Sequence, residues 1–512
     1  MLKKILSLFH NKIIIVSVLI LIQLAVFLAF IFELSEYFVW IYILLISLSV
    51  IISIYVINRD DNPTYKMTWV ILIMAFPIFG GLIYLLFGGQ KVPKELRIRD
   101  RAAYTEYKEI VSQDQGIMDT LAQEHAPAFK QANYLWKNAG FPVCQHTETT
   151  FFPIGEDKFQ AILEELKKAE KFIFLEYFII APGLMWDSIL DILIEKVKEG
   201  VDVRVMYDDA GCFTTLPNDY YKVLLNLGIK AKVFNPIRPR LAMQMNNRDH
   251  RKILVIDGKV GMTGGINLAD EYINEKERFG HWKDCGVMLK GEAVWNLTLM
   301  FLQFWNYDEI NKDNVFNFKV DPKEFETLEN DGYVQPYSDS PTDNENVGEY
   351  THINMINGAN RYVYATTPYL VIDNEMKTAL TLAAKNGVDV RILVPHIPDK
   401  WYVFEVTRAN YRPLLEAGVK IYEYTPGFVH GKNFVVDDEM AVVGTVNMDY
   451  RSYYLHYECG VWFYKSKVVM DVKKDYLESL EKSHEVTLEE CHQVKLPVRI
   501  CRAILNLFSP ML

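Results

Sequence analysis

Two short phrases hold the residue types that could do chemistry. His250-Arg251-Lys252-Ile253-Leu254-Val255-Ile256-Asp257 and His430-Gly431-Lys432-Asn433-Phe434-Val435-Val436-Asp437 share the spacing H-x-K-x-x-x-x-D. Each runs on to a glycine turn and an asparagine, through Thr263-Gly264-Gly265-Ile266-Asn267 and Gly444-Thr445-Val446-Asn447. An imidazole titrates near neutrality and can act as nucleophile or as general acid. Two of them on opposite sides of a phosphorus atom could divide those roles. Lys252, Lys432, Asn267 and Asn447 could hold the non-bridging oxygens and stabilise the charge that builds in the transition state. One copy alone is equally well read as a buried strand with one satisfied histidine. Two copies with matching tails point to chemistry.

The elements that must position these groups are strands. Ile253 to Ile256 and Phe434 to Val436 are apolar and β-branched or aromatic, as buried strands are. Residues two apart share a face of a strand, so His250 and Lys252 point the same way, as do His430 and Lys432. Asp257-Gly258 is a hairpin signal, with Val260 to Thr263 returning and bringing Asn267 back toward the histidine. Asp257 lies about 16 Å beyond Lys252 along an extended strand, so a structural or indirect role is expected for it.

The region around the phrases repeats. Lys171-Phe172-Ile173-Phe174-Leu175-Glu176 answers Arg361-Tyr362-Val363-Tyr364-Ala365-Thr366. Gly200-Val201-Asp202-Val203-Arg204-Val205 answers Gly387-Val388-Asp389-Val390-Arg391-Ile392, and Gly228-Ile229-Lys230 answers Gly418-Val419-Lys420. The offsets are 190, 187 and 190, with 180 at the histidines. Helical patterns such as Phe159 to Lys171 and Met376 to Asn386 alternate with short apolar strands. This predicts two copies of an α/β unit, with mainly parallel sheets flanked by helices.

Composition bounds the rest. The chain has 512 residues, is 50% hydrophobic and carries a formal net charge of −11, which disfavours nucleic acid as a partner. Its six cysteines are scattered without zinc spacing and read as reduced thiols of a cytoplasmic domain. Ile13 to Phe32 and Phe38 to Ile57 have the length of membrane spans. A third stretch, Met67 to Gly88, is broken by Pro77 and Gly80-Gly81. Lys3, Lys4 and Lys12 place the N-terminus inside, yet Lys91, Lys94, Arg97, Arg99 and Arg101 also favour the inside. Either the third stretch re-enters or the first is not a true span. The expected organisation is a membrane anchor over 1–88 with two to three hydrophobic segments and a charged helical linker over 89–150. Two lobes follow over 151–335 and 336–490, then an amphipathic tail over 491–512. The tail reads either as an interfacial helix or as one packed on the protein itself.

The doubled phrase resembles the signature of the phospholipase D superfamily, and the chain is similar to its bacterial cardiolipin synthases. The narrower likeness rests on Tyr207-Asp208-Asp209, Asn247-Arg248-Asp249-His250-Arg251-Lys252, Thr263-Gly264-Gly265-Ile266-Asn267 and Tyr422-Glu423-Tyr424-Thr425-Pro426-Gly427-Phe428, and on the Leu507-Phe508-Ser509-Pro510 ending. It covers nearly the whole chain after roughly the first 35 residues. The chain departs from the family at Gly431 and Asn433, neither of which removes a reacting group. The resemblance implies a two-lobed, pseudo-symmetric fold that brings both phrases to one cleft, preceded by N-terminal transmembrane helices. It implies a catalytic set of His250, Lys252, Asp257, His430, Lys432 and Asp437, with Asn267 and Asn447 stabilising phosphate. Asp284 and Glu458, 34 and 28 residues after the histidines, would hold the histidines' other ring nitrogens, as a triad aspartate does. No metal and no other cofactor is implied, and Asp208 and Asp209 read as hydrogen-bonding residues that shape the cleft.

The activity so implied joins two phosphatidylglycerols into cardiolipin and glycerol through a phosphatidyl-histidine, at the cytoplasmic side of the cell membrane. The expected partners are phosphatidylglycerol and cardiolipin. The alternative is a phospholipase D hydrolase, or a phosphatidyltransferase using another alcohol. An inactive scaffold would have lost a member of one phrase, and none is lost. His250 is the expected nucleophile, on the superfamily's usual order and because Arg248 and Arg251 would draw an anionic phosphodiester toward it. His430 is then the acid and base.

Overall fold

The computed structural model describes residues 21, 36–76, 80–88, 92, 94–236, 246–307 and 312–511. The chain divides into two compact units. One comprises 1–91, 237–245 and 507–512, and the other 92–236 with 246–506.

The smaller unit is built from the helices Glu36–Ile57, Pro63–Ala75 and Gly80–Phe87. Ile52, Val56, Tyr65, Trp69, Ile73 and Tyr84 form its core, with the Tyr84 ring set edge-on to Trp69. The expected segment Ile13 to Phe32 lies outside the described residues, apart from Leu21. Phe38 to Ile57 falls in the first of these helices. Met67 to Gly88 is divided between the second and third, and Pro77 is outside the described residues. Among the described residues, no helix is long and apolar enough to cross a membrane. The helix Glu36–Ile57 nevertheless exposes Trp40, Leu44, Leu48, Ile51 and Tyr55, which recur every three or four residues along one side.

The larger unit holds two mixed sheets. The first comprises β1 (Thr147–Phe152), β2 (Phe172–Tyr177), β3 (Asp202–Asp208), β4 (Lys230–Phe234), β5 (Lys252–Ile256), β6 (Val260–Gly264) and β8 (Gly286–Gly291), in the order β1-β8-β6-β5-β2-β3-β4. The short β7 (His281–Lys283) stands outside it. The second comprises β9 (Tyr333–Asp339), β10 (Tyr362–Thr366), β12 (Asp389–Pro395), β13 (Lys420–Tyr424), β15 (Asn433–Val436), β16 (Met440–Gly444), β18 (Glu458–Tyr464) and β19 (Ser483–Glu485). Its order is β19-β13-β12-β10-β15-β16-β18-β9. The short strands β11 (Leu370–Val371) and β17 (Met448–Asp449) pair with each other, and β14 (Gly427–Val429) pairs with β7.

The mainly parallel sheets expected from the sequence are not what forms. Within the two large sheets, only β2-β3-β4 and β10-β12-β13 run parallel. Those are the strands joined through helical crossovers, such as Leu184–Lys198 between β2 and β3. The two phrases enter by hairpins instead. β5 turns at Asp257-Gly258 into β6, with Leu254 opposite Met262, so that part of the sheet must be antiparallel. Both faces are covered. Ile253 and Val255 lie in one hydrophobic core, and Leu254 and Ile256 in another, which is why the strand reads as an unbroken apolar run.

The two aspartates of the phrases sit at the far ends of these strands. Asp257 has φ of 54°, the left-handed turn position, and accepts from the backbone amides of Glu170, Lys171 and Phe172 at 2.7–2.8 Å. Asp437, with φ of 56°, accepts from Asn360, Arg361 and Tyr362 in the same way. Each carboxylate therefore ties the hairpin to the start of the neighbouring strand. The structure does not bring Asp257 or Asp437 to the histidines. Asp257→Asn and Asp437→Asn keep the turn preference but lose charge-assisted acceptance. Each should lower the unfolding free energy by about 1–3 kcal/mol in denaturant titration, with activity per folded molecule changed only a few-fold.

Candidate active site

The two phrases are placed by a reciprocal contact between the halves. β14 runs parallel to β7, with Phe428 opposite Trp282, and the next amide, that of His430, donates to the Lys283 carbonyl at 2.6 Å. In the other half, Asp249 bridges Tyr457, the Tyr457 amide donates to the Arg248 carbonyl, and the His250 amide donates to the Tyr457 carbonyl at 2.9 Å. Each histidine thus lies beside the strand that carries the other half's carboxylate.

The consequence is a crossed pairing. His250 Nδ1 lies 2.9 Å from Glu458 Oε2, and His430 Nδ1 lies 2.6 Å from Asp284 Oδ2. The sequence places an acidic residue after each phrase. The structure shows that each one serves the histidine of the opposite half. An ionised carboxylate at Nδ1 holds the proton there and leaves the Nε2 lone pair as the reactive end.

Burial sets the charge states. Both imidazoles are only 9% exposed as side chains, and their carboxylates are fully buried. Burial pulls the His250 pKa down to about 3 against the pull of Glu458, and that of His430 down to about 4. The rings are therefore neutral at rest. Burial alone would raise the pKa of Glu458, but the facing imidazoles outweigh it and hold the carboxyl ionised. Thr445 Oγ1 and Ser452 Oγ also donate to Glu458, at 2.5 and 2.7 Å. Asp284 has fewer side-chain hydroxyls to share, accepting from His430 and from the Cys285 amide.

The remaining residues expected at the site converge here. Burial lowers Lys252 to about 7, helped by the charge of Lys432, and lowers Lys432 to about 8. The charge of Lys252 also acts on His430, so the two halves share one electrostatic site. Lys252 Nζ donates to the His250 carbonyl at 2.5 Å, and Lys432 Nζ to that of His430. Asn267 accepts from the Ile179 amide and donates to the Tyr272 hydroxyl, while Asn447 donates to Asp449. An amide nitrogen carries two hydrogens, so each asparagine can still donate one to a ligand. Asp208 accepts from the amides of Ala210, Gly211 and Asp249, which pins the segment entering His250. An anionic phosphodiester is the ligand such a set suits. It would recharge the lysines and favour an imidazolium that the empty, desolvated site disfavours.

One expectation fails. Arg251 does not lend its charge to His250. It is fully buried, pairs with Glu176 at 2.6 Å and Asp249 at 3.2 Å, and stacks 3.8 Å from the Phe304 ring centroid. Arg248 lies 3.6 Å from Asp208. Side chains alternate across an extended segment, so the residue beside His250 points into the core. Sequence reasoning also missed Lys158, fully buried, which donates to the Thr263 carbonyl and carries a charge that Asp284 supports. It missed His456 as well, 5.5 Å ring to ring from His250. The signal for His456 was its place two residues before Glu458.

A family model described as "Cardiolipin synthase, PLD-like domain" matches residues 162–284 and 352–480, and one described as "Phospholipase_D-nuclease N-terminal" matches 47–89. A cardiolipin synthase of Geobacillus sp. is 37% identical over 475 residues, covering 92% of this chain and 93% of its own length. The chain belongs to the cardiolipin synthase family. Another family relative, from Alkalihalophilus pseudofirmus, is also 37% identical, over 91% of this chain and 93% of its own. An uncharacterized protein of Streptococcus mutans is 48% identical over 90% of this chain and 99% of its own. The phosphatidylserine synthase of Haemophilus influenzae shares the fold. Its TM-score is 0.56 at 15% identity, over 75% of this chain and 99% of that one.

For this cardiolipin synthase family member the crossed pairs make two expectations. Glu458→Gln and Asp284→Asn keep shape but remove the charge behind an imidazolium. Each should cut turnover by on the order of 10²–10⁴-fold, with KM much less changed. The pH dependence of stability follows from the histidines, whose folded pKa values of about 3 and about 4 lie below the ordinary 6.5. The unfolded chain then takes up protons first. These groups' contribution is complete above about pH 6.5 and is lost as pH falls toward 4. Denaturant midpoints across that window should fall less steeply for His250→Asn than for the wild type.

Proposed function

We propose that the protein is a phosphatidyltransferase that condenses two phosphatidylglycerols into cardiolipin and releases glycerol. The observation that carries this reading is the pair of neutral imidazoles, each backed by a carboxylate of the opposite half, beside two buried lysines. The family's cardiolipin synthases point to the same substrates. In the proposed sequence, His250 Nε2 attacks the phosphorus of the first lipid and the bond to glycerol breaks. The bound phosphodiester anion favours the imidazolium form of His430, which, protonated at Nε2, gives that proton to the departing glycerol oxygen. A headgroup hydroxyl of the second phosphatidylglycerol then loses its proton to His430 and displaces His250. Lys252, Lys432, Asn267 and Asn447 hold the non-bridging oxygens throughout.

The division of labour between the histidines rests on their carboxylates. Asp284, with fewer competing hydroxyl donors and a 2.6 Å contact, best supports a proton-carrying His430. Glu458 spreads its charge over Thr445 and Ser452 as well, which suits a His250 that stays neutral until it attacks. The seclusion of both rings favours an alcohol delivered by a bound lipid over bulk water. Asp257 and Asp437 support the reaction only by fixing the hairpins.

The N-terminal apolar segments would anchor the enzyme in the cell membrane, with the two lobes on the cytoplasmic side. The exposed apolar stripe of Glu36–Ile57 supports the anchoring. On this reading residues 1–88 are the anchor, 89–150 the linker, 151–335 and 336–490 the lobes, and 491–512 the tail. Purified protein given phosphatidylglycerol alone should form cardiolipin and glycerol in equal amounts, and excess chelator should leave the rate intact. Phosphatidic acid as the main product would instead mark a hydrolase, and no product would mark another acceptor.

A further inference from the structure

His456 has no part in the transfer described above, yet it is built into the same wall. It is 9% exposed, and both its ring nitrogens are buried without a hydrogen-bond partner. Its Nδ1 lies 3.7 Å from Glu458 Oε1, too far for a hydrogen bond, and its ring centroid is 5.5 Å from that of His250. A buried imidazole normally finds a partner for its donor nitrogen, because leaving one unpaired costs about 1–3 kcal/mol. His250, His456 and Glu458 each offer one ligand atom, and the three atoms lie within 4.8 Å of one another.

We infer that His250, His456 and Glu458 form a binding site for a borderline-soft divalent metal ion of the Zn²⁺ class, and that filling it stops phosphatidyl transfer. Two imidazoles and a carboxylate are the ligand set such ions take, at bond lengths near 2.0–2.2 Å. Mg²⁺ and Ca²⁺ prefer all-oxygen shells and would be excluded. Ligand atoms spread over 4.8 Å need to close by about an ångström, which rotation of the unpartnered His456 ring can supply.

The inhibition follows from proton placement and rests on the reading of His250 as the attacking group. Neutral His250 keeps its proton on Nδ1, toward Glu458, and its lone pair on Nε2. A metal bound at Nε2 uses that lone pair directly. A metal bound at Nδ1 forces the proton to Nε2, and the lone pair is lost there too. Either way no nucleophile remains. The metal would act as an inhibitor of a reaction that does not require one.

The test uses the full-length protein in detergent micelles, with Co²⁺ as a spectroscopic probe and Zn²⁺ as competitor. The wild type should bind one equivalent of Co²⁺ with a visible d–d band, and Zn²⁺ should abolish the band. His456→Asn and His456→Phe, each checked for a cooperative thermal transition, should both lose the band. The Zn²⁺ concentration that halves each variant's own transfer rate should rise at least roughly tenfold. An unchanged band and an unchanged half-inhibitory concentration in either folded variant would overturn the site. A band that depends on His456, with wild-type transfer untouched at saturating Zn²⁺, would overturn the inhibition and with it the role given to His250.

Discussion

Each imidazole of the doubled phrase is held by a carboxylate from the other half of the chain, and the rest of the larger unit serves that crossing. His250 on one hairpin needs Glu458 at the start of β18, and His430 needs Asp284 just past β7. Neither half can build a competent histidine by itself. The parallel pairing of β7 with β14 and the bridge from Asp249 to Tyr457 set the registers that make both contacts possible. A slip of one residue at either place would turn a carboxylate to the wrong face.

The same arrangement explains why the site can be so dry. Two imidazoles, two lysines and two carboxylates are nearly removed from water, at a cost that only mutual pairing offsets. In that setting the imidazoles stay neutral and the lysines give up part of their charge. An arriving phosphodiester anion would reverse both tendencies. On the proposed mechanism, substrate binding and charging of the site are one event, and the transition state finds donors already in place.

Much of this was legible in the chain. The doubled phrase and its hairpins follow from strand periodicity and turn chemistry, as with Asp257-Gly258 between β5 and β6, and the carboxylates after it from the family resemblance. The crossing was not legible, because a linear repeat does not say which copy of a carboxylate faces which histidine. Sheet direction was misread for a related reason. Alternating helices and strands predict parallel pairing, and they do so correctly for β2-β3-β4, but the phrases themselves arrive by hairpins. The positive charge ascribed to Arg251 failed because its neighbours in space, Glu176 and Phe304, are far away in sequence. His456 was hidden in plain view, two residues before an acid whose own role was already recognised.

On the proposed mechanism one histidine carries the phosphatidyl group while the other moves the proton. The most direct measurement is to quench the enzyme after brief exposure to labelled phosphatidylglycerol and map any label on the protein. The account predicts label on His250, enriched in His430→Ala, where turnover of the intermediate is slowed, and absent from His250→Ala. Label on His430 in the otherwise intact enzyme would reverse the assignment. Transfer at an undiminished rate by His250→Ala would contradict the covalent mechanism itself.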